Sequence, residues 1–308
     1  PRQSANHKIH RHLAAKECLR DDQNGHIALG AGIINHCHAN GVNSGFGIGK
    51  PLVSARWLGD DHSMEPTSHI LLIAGSAEAH DIATQIAQNG QRMQAILRAP
   101  ERSFGPLAVA SQIWAPASLE DMKFFLTQQG ITAICDAGHG FDSDVSDLAA
   151  TAAADLGLAY ARVLRPVWPV DPPLLRAASV RAAADLILPG ARVFAATGRG
   201  SLPDFAPFKG AKLFLRQNGP NMRSALPDFV EPVFGTPPFT NVQEMALFQE
   251  LDIDTLICRN VGGAPSRPKL DAARGMGLRT IVIDRPAPPS GALVLGSAKD
   301  ALEWLDTL

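Results

Sequence analysis

The chain reads as an α/β protein with parallel sheets covered by helices. Short apolar stretches of strand length alternate with helical stretches from Ile70 to Leu305. Polar and glycine-rich turns recur where those strands stop, which is where open parallel sheets bind ligands. With 308 residues, two domains are more natural than one. A proline-rich piece (Pro166, Pro169, Pro172, Pro173) marks the crossing between them.

The elements follow in order. Ile70-Leu71-Leu72-Ile73 is a strand, followed by a helix from Ala77-Glu78 that Gly90 closes as a C-terminal cap. Met93 to Leu97 is the next strand. Ser118, with Asp121 three residues on, caps a helix that ends at Gly130. Ile131 to Cys135 is a strand ending in the polar turn Asp136-Ala137-Gly138-His139-Gly140-Phe141. An alanine-rich helix and a strand over Ala159–Leu164 complete this unit. Past the proline-rich crossing, helices are expected over Ser179–Leu186, Val242–Leu251, Lys269–Met276 (closed by Gly277) and Ser297–Leu305. Strands are expected over Arg192–Ala196, Lys212–Arg216, Thr255–Arg259 and Thr280–Ile283, and a short helix starts at Ser201–Phe205. No short-period repeat suggests a solenoid.

Residues 1–63 differ. They hold seven of the ten histidines and lack a sustained helical or strand period. Met64, just ahead of the first strand, is read as the natural start, which makes 1–63 an extension or a mis-assigned start. Gly30-Ala31-Gly32 and Gly45-Phe46-Gly47-Ile48-Gly49-Lys50 complete no phosphate-binding pattern, and His36-Cys37-His38 lacks a partner pair for a metal.

Composition narrows the function classes. A net charge of −2, few aromatics and no basic stripe argue against nucleic acid. No window supplies the roughly 18 uninterrupted apolar residues of a transmembrane helix. Cys18, Cys37, Cys135 and Cys258 show no C-x-x-C spacing, and a reduced cytoplasmic setting is the simplest reading. G-x-S-x-G and H-E-x-x-H are also missing.

Four strand ends carry chemistry. Ala74-Gly75-Ser76-Ala77-Glu78 reads either as a turn where Gly75 admits a phosphate to a helix N-terminus and Ser76 adds a hydroxyl, or as an ordinary tight turn. His139 is suited to bind a substrate carboxylate or to act as an acid near neutral pH; the plain alternative is a helix cap or a loop hydrogen bond. Thr197-Gly198-Arg199 offers a hydroxyl, a flexible turn and a guanidinium, and Arg259-Asn260 with Gly262-Gly263 forms a further such end. Several such ends point to one ligand cleft.

In these motifs the chain resembles the precorrin-6A reductases of corrin biosynthesis, including the cobalt-precorrin-6A reductases. The likeness runs from about Ile70 to Leu305. It rests on Asp136-Ala137 with His139 and Phe141, Val145-Ser146, Arg165-Pro166 with Trp168, and Thr197-Gly198-Arg199. Gly235 with Pro238-Phe239-Thr240 and Glu244, Asn260 with Gly262-Gly263, Lys269-Leu270 with Ala272-Ala273, and Arg285-Pro286 complete it.

The resemblance implies two Rossmann-like lobes, about 64–167 and 168–308, with NADPH and a tetrapyrrole in the cleft between them. It implies hydride transfer to a ring double bond, with Gly75, Ser76, Thr197 and Gly198 at the cofactor and His139, Arg199, Arg216 and Arg259 at the substrate. The chain departs from the family where Ala74-Gly75-Ser76 replaces Gly-Gly-Thr, and where Ile113-Trp114-Ala115-Pro116-Ala117 replaces a Gly-Gly-Phe-Gly-Gly loop. Gly138 and Gly140 stand where the family has Thr and Pro, and Arg259 and Val261 where it has Lys and Ser. These departures leave two alternatives, a non-catalytic tetrapyrrole- or nucleotide-binding relative and a Rossmann-like reductase of unrelated substrate.

Overall fold

A computed structural model describes residues 68–100, 105–219 and 226–308. The expectations for residues 1–63, Met64 included, lie outside the described residues.

Two parallel sheets of six strands each organise the rest. The first is built from β1 (Ile70–Ala74), β2 (Met93–Leu97), β3 (Ala110–Ile113), β4 (Ala133–Ala137), β5 (Ala159–Val163) and β12 (Leu293–Leu295), ordered β12-β5-β4-β1-β2-β3. The second holds β6 (Leu175–Ala177), β7 (Arg192–Ala196), β8 (Lys212–Gln217), β9 (Val230–Phe234), β10 (Thr255–Arg259) and β11 (Arg279–Ile283), ordered β6-β11-β10-β7-β8-β9. Each order reverses beside its first long strand, between β1 and β4 and between β7 and β10. Those are the two switch points of doubly wound sheets.

Seven α-helices cover the sheets: α1 (Ala77–Asn89), α2 (Leu119–Gln128), α3 (Ser143–Leu156), α4 (Val180–Asp185), α5 (Asn241–Glu250), α6 (Pro268–Gly275) and α7 (Ala298–Leu305). Local sequence sets their ends. Ser76, Ser118, Ser179 and Ser297 each accept a hydrogen bond from the backbone N–H three residues on, and Thr240 with Gln243 closes a capping box. Gly90 ends α1 at φ 71°. Strands β1 and β4 are buried along their whole length, as expected of strands covered on both faces.

Apolar layers lie on both faces of each sheet. Ile82, Ile86, Leu72 and Ala95 pack one side of the first sheet, and Leu71, Ile134, Met122 and Leu126 the other. In the second, Leu213, Ile257 and Phe205 form one layer and Phe194, Phe248 and Leu256 the other. Cys135 and Cys258 sit inside these layers as free thiols, and burial pushes their pKa values up to about 12 and about 11.

The chain crosses between the sheets twice, and the second crossing changes the expected boundary. After β5 it passes into the second sheet as β6; after β11 it returns, and β12 pairs with β5 while Ala301 and Leu305 of α7 enter the layer around α1. The last stretch of the expected second lobe therefore belongs to the first sheet. The strand expected over Ile131–Cys135 runs from Ala133 to Ala137, which carries Asp136 into the sheet.

Candidate active site

The polar residues of the β4 strand end are organised from below. Asp136 is fully buried, and Arg162 of β5 donates to its Oδ1 at 3.0 Å. The Tyr160 hydroxyl donates to its Oδ2 at 2.8 Å. The same guanidinium donates to three carbonyls of the turn, those of Asp136, Gly138 and His139, at 3.0 to 3.1 Å. One arginine thus shapes the loop that presents His139. The glycine at 138 fits this network: a Cβ there would lie 3.1 Å from Asp136 Oδ1. At 140 a Cβ would meet Arg285 Cδ at 3.0 Å. The two departures from the family pattern thus sit where the turn packs against charged side chains.

His139 is held as a neutral imidazole. Its Nδ1 accepts from the Phe141 N–H at 3.2 Å, which leaves the proton on Nε2. Burial, with Arg259, Arg162 and Arg165 close by, lowers its pKa to about 4. The neutral ring keeps a hydrogen-bond donor at Nε2.

Gly75 and Ser76 sit at the β1/β4 switch point. A Cβ on Gly75 would lie 2.8 Å from the His139 nitrogen, so the close approach here is to the protein's own loop. The Ser76 hydroxyl donates to the Ala137 carbonyl at 2.8 Å and caps α1. Glu78, in the first turn of α1, takes two hydrogen bonds from Arg165. Burial alone would raise the Glu78 carboxyl, but the Arg165 pair with backbone and Ser76 hydrogen bonds leaves it below its ordinary value.

The β7/β10 switch point gathers the other expected residues. Thr197 is buried, and its hydroxyl accepts from Ser201 Oγ at 2.7 Å. Gly198 (φ 78°) passes so close to Arg259 that a Cβ would stand 2.7 Å from its Nη2. Gly198, Arg199, Arg216 and Arg259 line one cavity of 370 Å³ together with Gln217, Phe239 and Lys269. Arg216 pairs with buried Glu244 at 2.7 Å and lies over the Phe194 and Phe239 rings, at 4.9 and 4.0 Å from their centroids. The structure therefore brings three of the four expected substrate residues together, with Gly198. His139 is not in that wall, and Gly75 and Ser76 belong to the other lobe.

The two strand-end regions nevertheless meet. Arg259 of β10 lies 5.3 Å from the centroid of Phe141, beside His139. Phe141 itself packs against the second sheet's core. The crossings are fastened here too: Asn260 exchanges two hydrogen bonds of 2.9 Å with the backbone of Trp168, and the indole donates to the Gly263 carbonyl at 2.8 Å. Arg285 donates to the Arg165 carbonyl at 2.7 Å. Gly262 and Gly263, at φ 72° and 71°, leave no room for side chains against Pro166 and Arg165. Asn260, Gly262 and Gly263 thus fasten the first crossing to the second sheet, while Arg259 of the same strand end lines the cavity.

Arg162, Arg165, Lys269 and Glu244 were not named as site residues from sequence. Arg162 carried no signal, being one arginine within an apolar strand; the other three lay in the matched motifs. Among the described residues no cluster of metal-ligating side chains occurs, and no helix is long and apolar enough to cross a membrane.

Comparison with known proteins places this geometry. The family model for "Precorrin-6x reductase CbiJ/CobK" matches residues 69–306. Precorrin-6A reductases from Mycobacterium tuberculosis (strain ATCC 25618 / H37Rv) and from Rhodobacter capsulatus are 28% and 30% identical to this chain. The alignments cover 77% of this chain in both cases, and 97% and 96% of those proteins. The solved structure described as CobK precorrin-6A reductase superposes with a TM-score of 0.71 at 27% identity, over 78% of this chain and 96% of that one. With the family model matched over residues 69–306 and the fold shared, the chain belongs to the precorrin-6x reductase family.

Proposed function

We propose that this chain reduces a ring double bond of precorrin-6A, or of its cobalt form, in corrin biosynthesis, with NADPH as reductant. The observation that carries the reading is the meeting of two switch points that each suit an anion. One is a glycine turn opening a helix N-terminus, and the other is a wall of cations.

The dinucleotide is assigned to the β1/β4 switch point. Gly75 directly follows β1, and α1 points its N-terminus into the turn, which favours a pyrophosphate. The acidic Glu78 there is already neutralised by Arg165. Arg98 follows β2, where an acidic residue would take a free ribose and an arginine takes a 2′-phosphate. Its side chain is 49% exposed and pairs with Asp144 at 2.7 Å, with Asp142 at 3.6 Å, so a 2′-phosphate would have to displace those carboxylates to reach it. When bound, the nicotinamide supplies the hydride.

The chain's own residues bind and orient. Arg199, Arg216 and Arg259 hold carboxylate arms of the tetrapyrrole. Neutral His139 offers Nε2–H to a substrate oxygen, and the negative charge of those arms raises its pKa when they arrive. Burial of Arg259, which lowers its pKa, leaves its charge poorly solvated and ready for an anion.

The test is anaerobic incubation with precorrin-6A and NADPH, following cofactor oxidation at its near-ultraviolet band together with the mass of the product. A gain of two hydrogens per cofactor oxidised supports the reading. Tight tetrapyrrole binding without oxidation would move the chain to the non-catalytic alternative, and NADPH binding with no affinity for the corrin precursor would point to another substrate.

A further inference from the structure

A second cavity, of 540 Å³, lies at the other end of the second sheet. Arg279 and Leu175 line it, and they are the first residues of β11 and β6. The cavity therefore sits at the amino ends of its strands, whereas both switch points lie at carboxyl ends. It shares no lining residue with the cavity of 370 Å³ that holds Arg199, Arg216 and Arg259. Its volume falls within the range of about 300–1,000 Å³ usual for small-ligand sites.

The proline-rich crossing supplies one wall and α6 another. Pro172, Pro173, Leu174, Leu270 and Leu278 make the lining largely apolar. The proline rings fix φ, so that wall is shaped before a ligand arrives, which lowers the ordering cost of binding. The charged part of the lining is unevenly matched. Arg267 pairs with Asp271 at 3.1 Å, and the two cancel. Arg274 and Arg279 then face a single carboxylate, that of Asp171. Arg279 donates to the Leu186 carbonyl at 3.3 Å. Arg274, exposed in the last turn of α6, forms no side-chain hydrogen bond or ion pair with another described residue.

The end of α6 brings some negative charge of its own to this place. The carbonyls of Ala272, Ala273 and Arg274 already accept backbone N–H groups, from Met276, Leu278 and Gly277. What remains of the dipole is a fraction of a charge, and the Arg274 guanidinium outweighs it.

We propose that this cavity is a second ligand site, for a small organic anion. The apolar body of the ligand, one or two rings across, packs on the prolines and leucines, and its acid group pairs with Arg274. The site is separate from the proposed reaction and does not rest on it.

The experiment uses two fluorescent probes that differ by one charge. Anilinonaphthalene sulfonate has an apolar body with an acid group; phenylnaphthylamine is the same body without it. Each is titrated into the full chain in excess NADP+, which is non-fluorescent and competes for the β1/β4 crevice. Wild type, Arg274→Gln, Arg274→Glu and Arg274→Lys are compared, and thermal melts report that each folds. The sulfonate should bind wild type saturably with enhanced, blue-shifted emission. Its dissociation constant should rise about threefold to fivefold in Arg274→Gln, as for a partly solvated ion pair, and about tenfold in Arg274→Glu, where repulsion adds. Arg274→Lys should stay close to wild type, and the neutral probe should bind all four alike and less tightly. Sulfonate binding that ignores the charge at 274, or its absence from wild type, overturns the proposal. A neutral probe that binds as tightly as the sulfonate overturns the assignment of an anion.

Discussion

Replacing Arg162 by methionine removes one guanidinium from beneath the β4 turn and keeps most of its apolar stem. Asp136, 0% exposed, then retains only the Tyr160 hydroxyl and the Gly138 N–H, and three carbonyls lose a donor. Breaking a buried pair by deleting one partner costs about 3–5 kcal/mol, because the remaining charge stays buried. At roughly 2–4 °C per kcal/mol for a protein of this size, the melting midpoint should fall by about 6–20 °C. Guanidinium titrations read by far-ultraviolet circular dichroism give the same quantity isothermally. The double variant Asp136→Asn/Arg162→Met should lose less than Arg162→Met alone, since it no longer buries an unmatched carboxylate. A single variant within about 1 kcal/mol of wild type, or strict additivity in the cycle, would sink the claim that this pair holds the turn.

Three further outcomes follow from the same geometry. The folded pKa of His139, near 4 against an ordinary 6.5, means that the unfolded chain takes up this proton first; its contribution is present above about pH 6.5 and lost as pH falls toward 4. It is worth roughly 3 kcal/mol, so His139→Asn should flatten the stability profile across that window, and an unaltered slope in denaturant titrations would contradict it. Arg98→Gln should raise the dissociation constant for NADPH about tenfold and leave that for NADH alone, measured by cofactor fluorescence; an unchanged ratio would remove Arg98 from the 2′-phosphate. Gly75→Val puts a side chain where only 2.8 Å separates a Cβ from the His139 nitrogen, so it should weaken NADPH binding at least tenfold and lower the melting midpoint, while normal affinity would place the cofactor elsewhere.

What was legible in the sequence tracks what local chemistry determines. Strands β2, β7 and β10 are found with the expected ends because each is a short apolar run bounded by polar turns. The Ser118 cap announced α2 in the same way. The strands that escaped notice were β3, β6, β9 and β12, which are short or carry proline and lie at or near the sheet edges. β3 is exposed along its length and β12 nearly so, and such strands owe their form to a neighbour's backbone and not to their own pattern. The site was half legible for a related reason. Residue types at strand ends suggested anion binding, and the cavity with Arg199, Arg216 and Arg259 follows from that. That Arg162 belongs under the His139 turn, or that Asn260 fastens Trp168, depends on contacts between residues 23 and 92 positions apart, which no local pattern reports.

The exchange of terminal strands explains why the two switch points can work as one site. The chain leaves the first sheet after β5 through Arg165-Pro166 and supplies β6 next to β11; it leaves the second after β11 through Arg285-Pro286 and supplies β12 next to β5. Each lobe is thus completed by a strand whose preceding segment lies in the other. The two crossings touch, since Arg285 donates to the Arg165 carbonyl, and Arg165 in turn holds Glu78 at the head of α1. Moving one lobe relative to the other would disturb both crossings and the glycine contacts at 262 and 263. A reaction that brings a hydride donor in one lobe against an acceptor held in the other depends on such fixed alignment, because small misplacements of the reacting atoms cost large factors in rate. The arginine–proline pairs therefore join the two crossings to each other and to the head of α1.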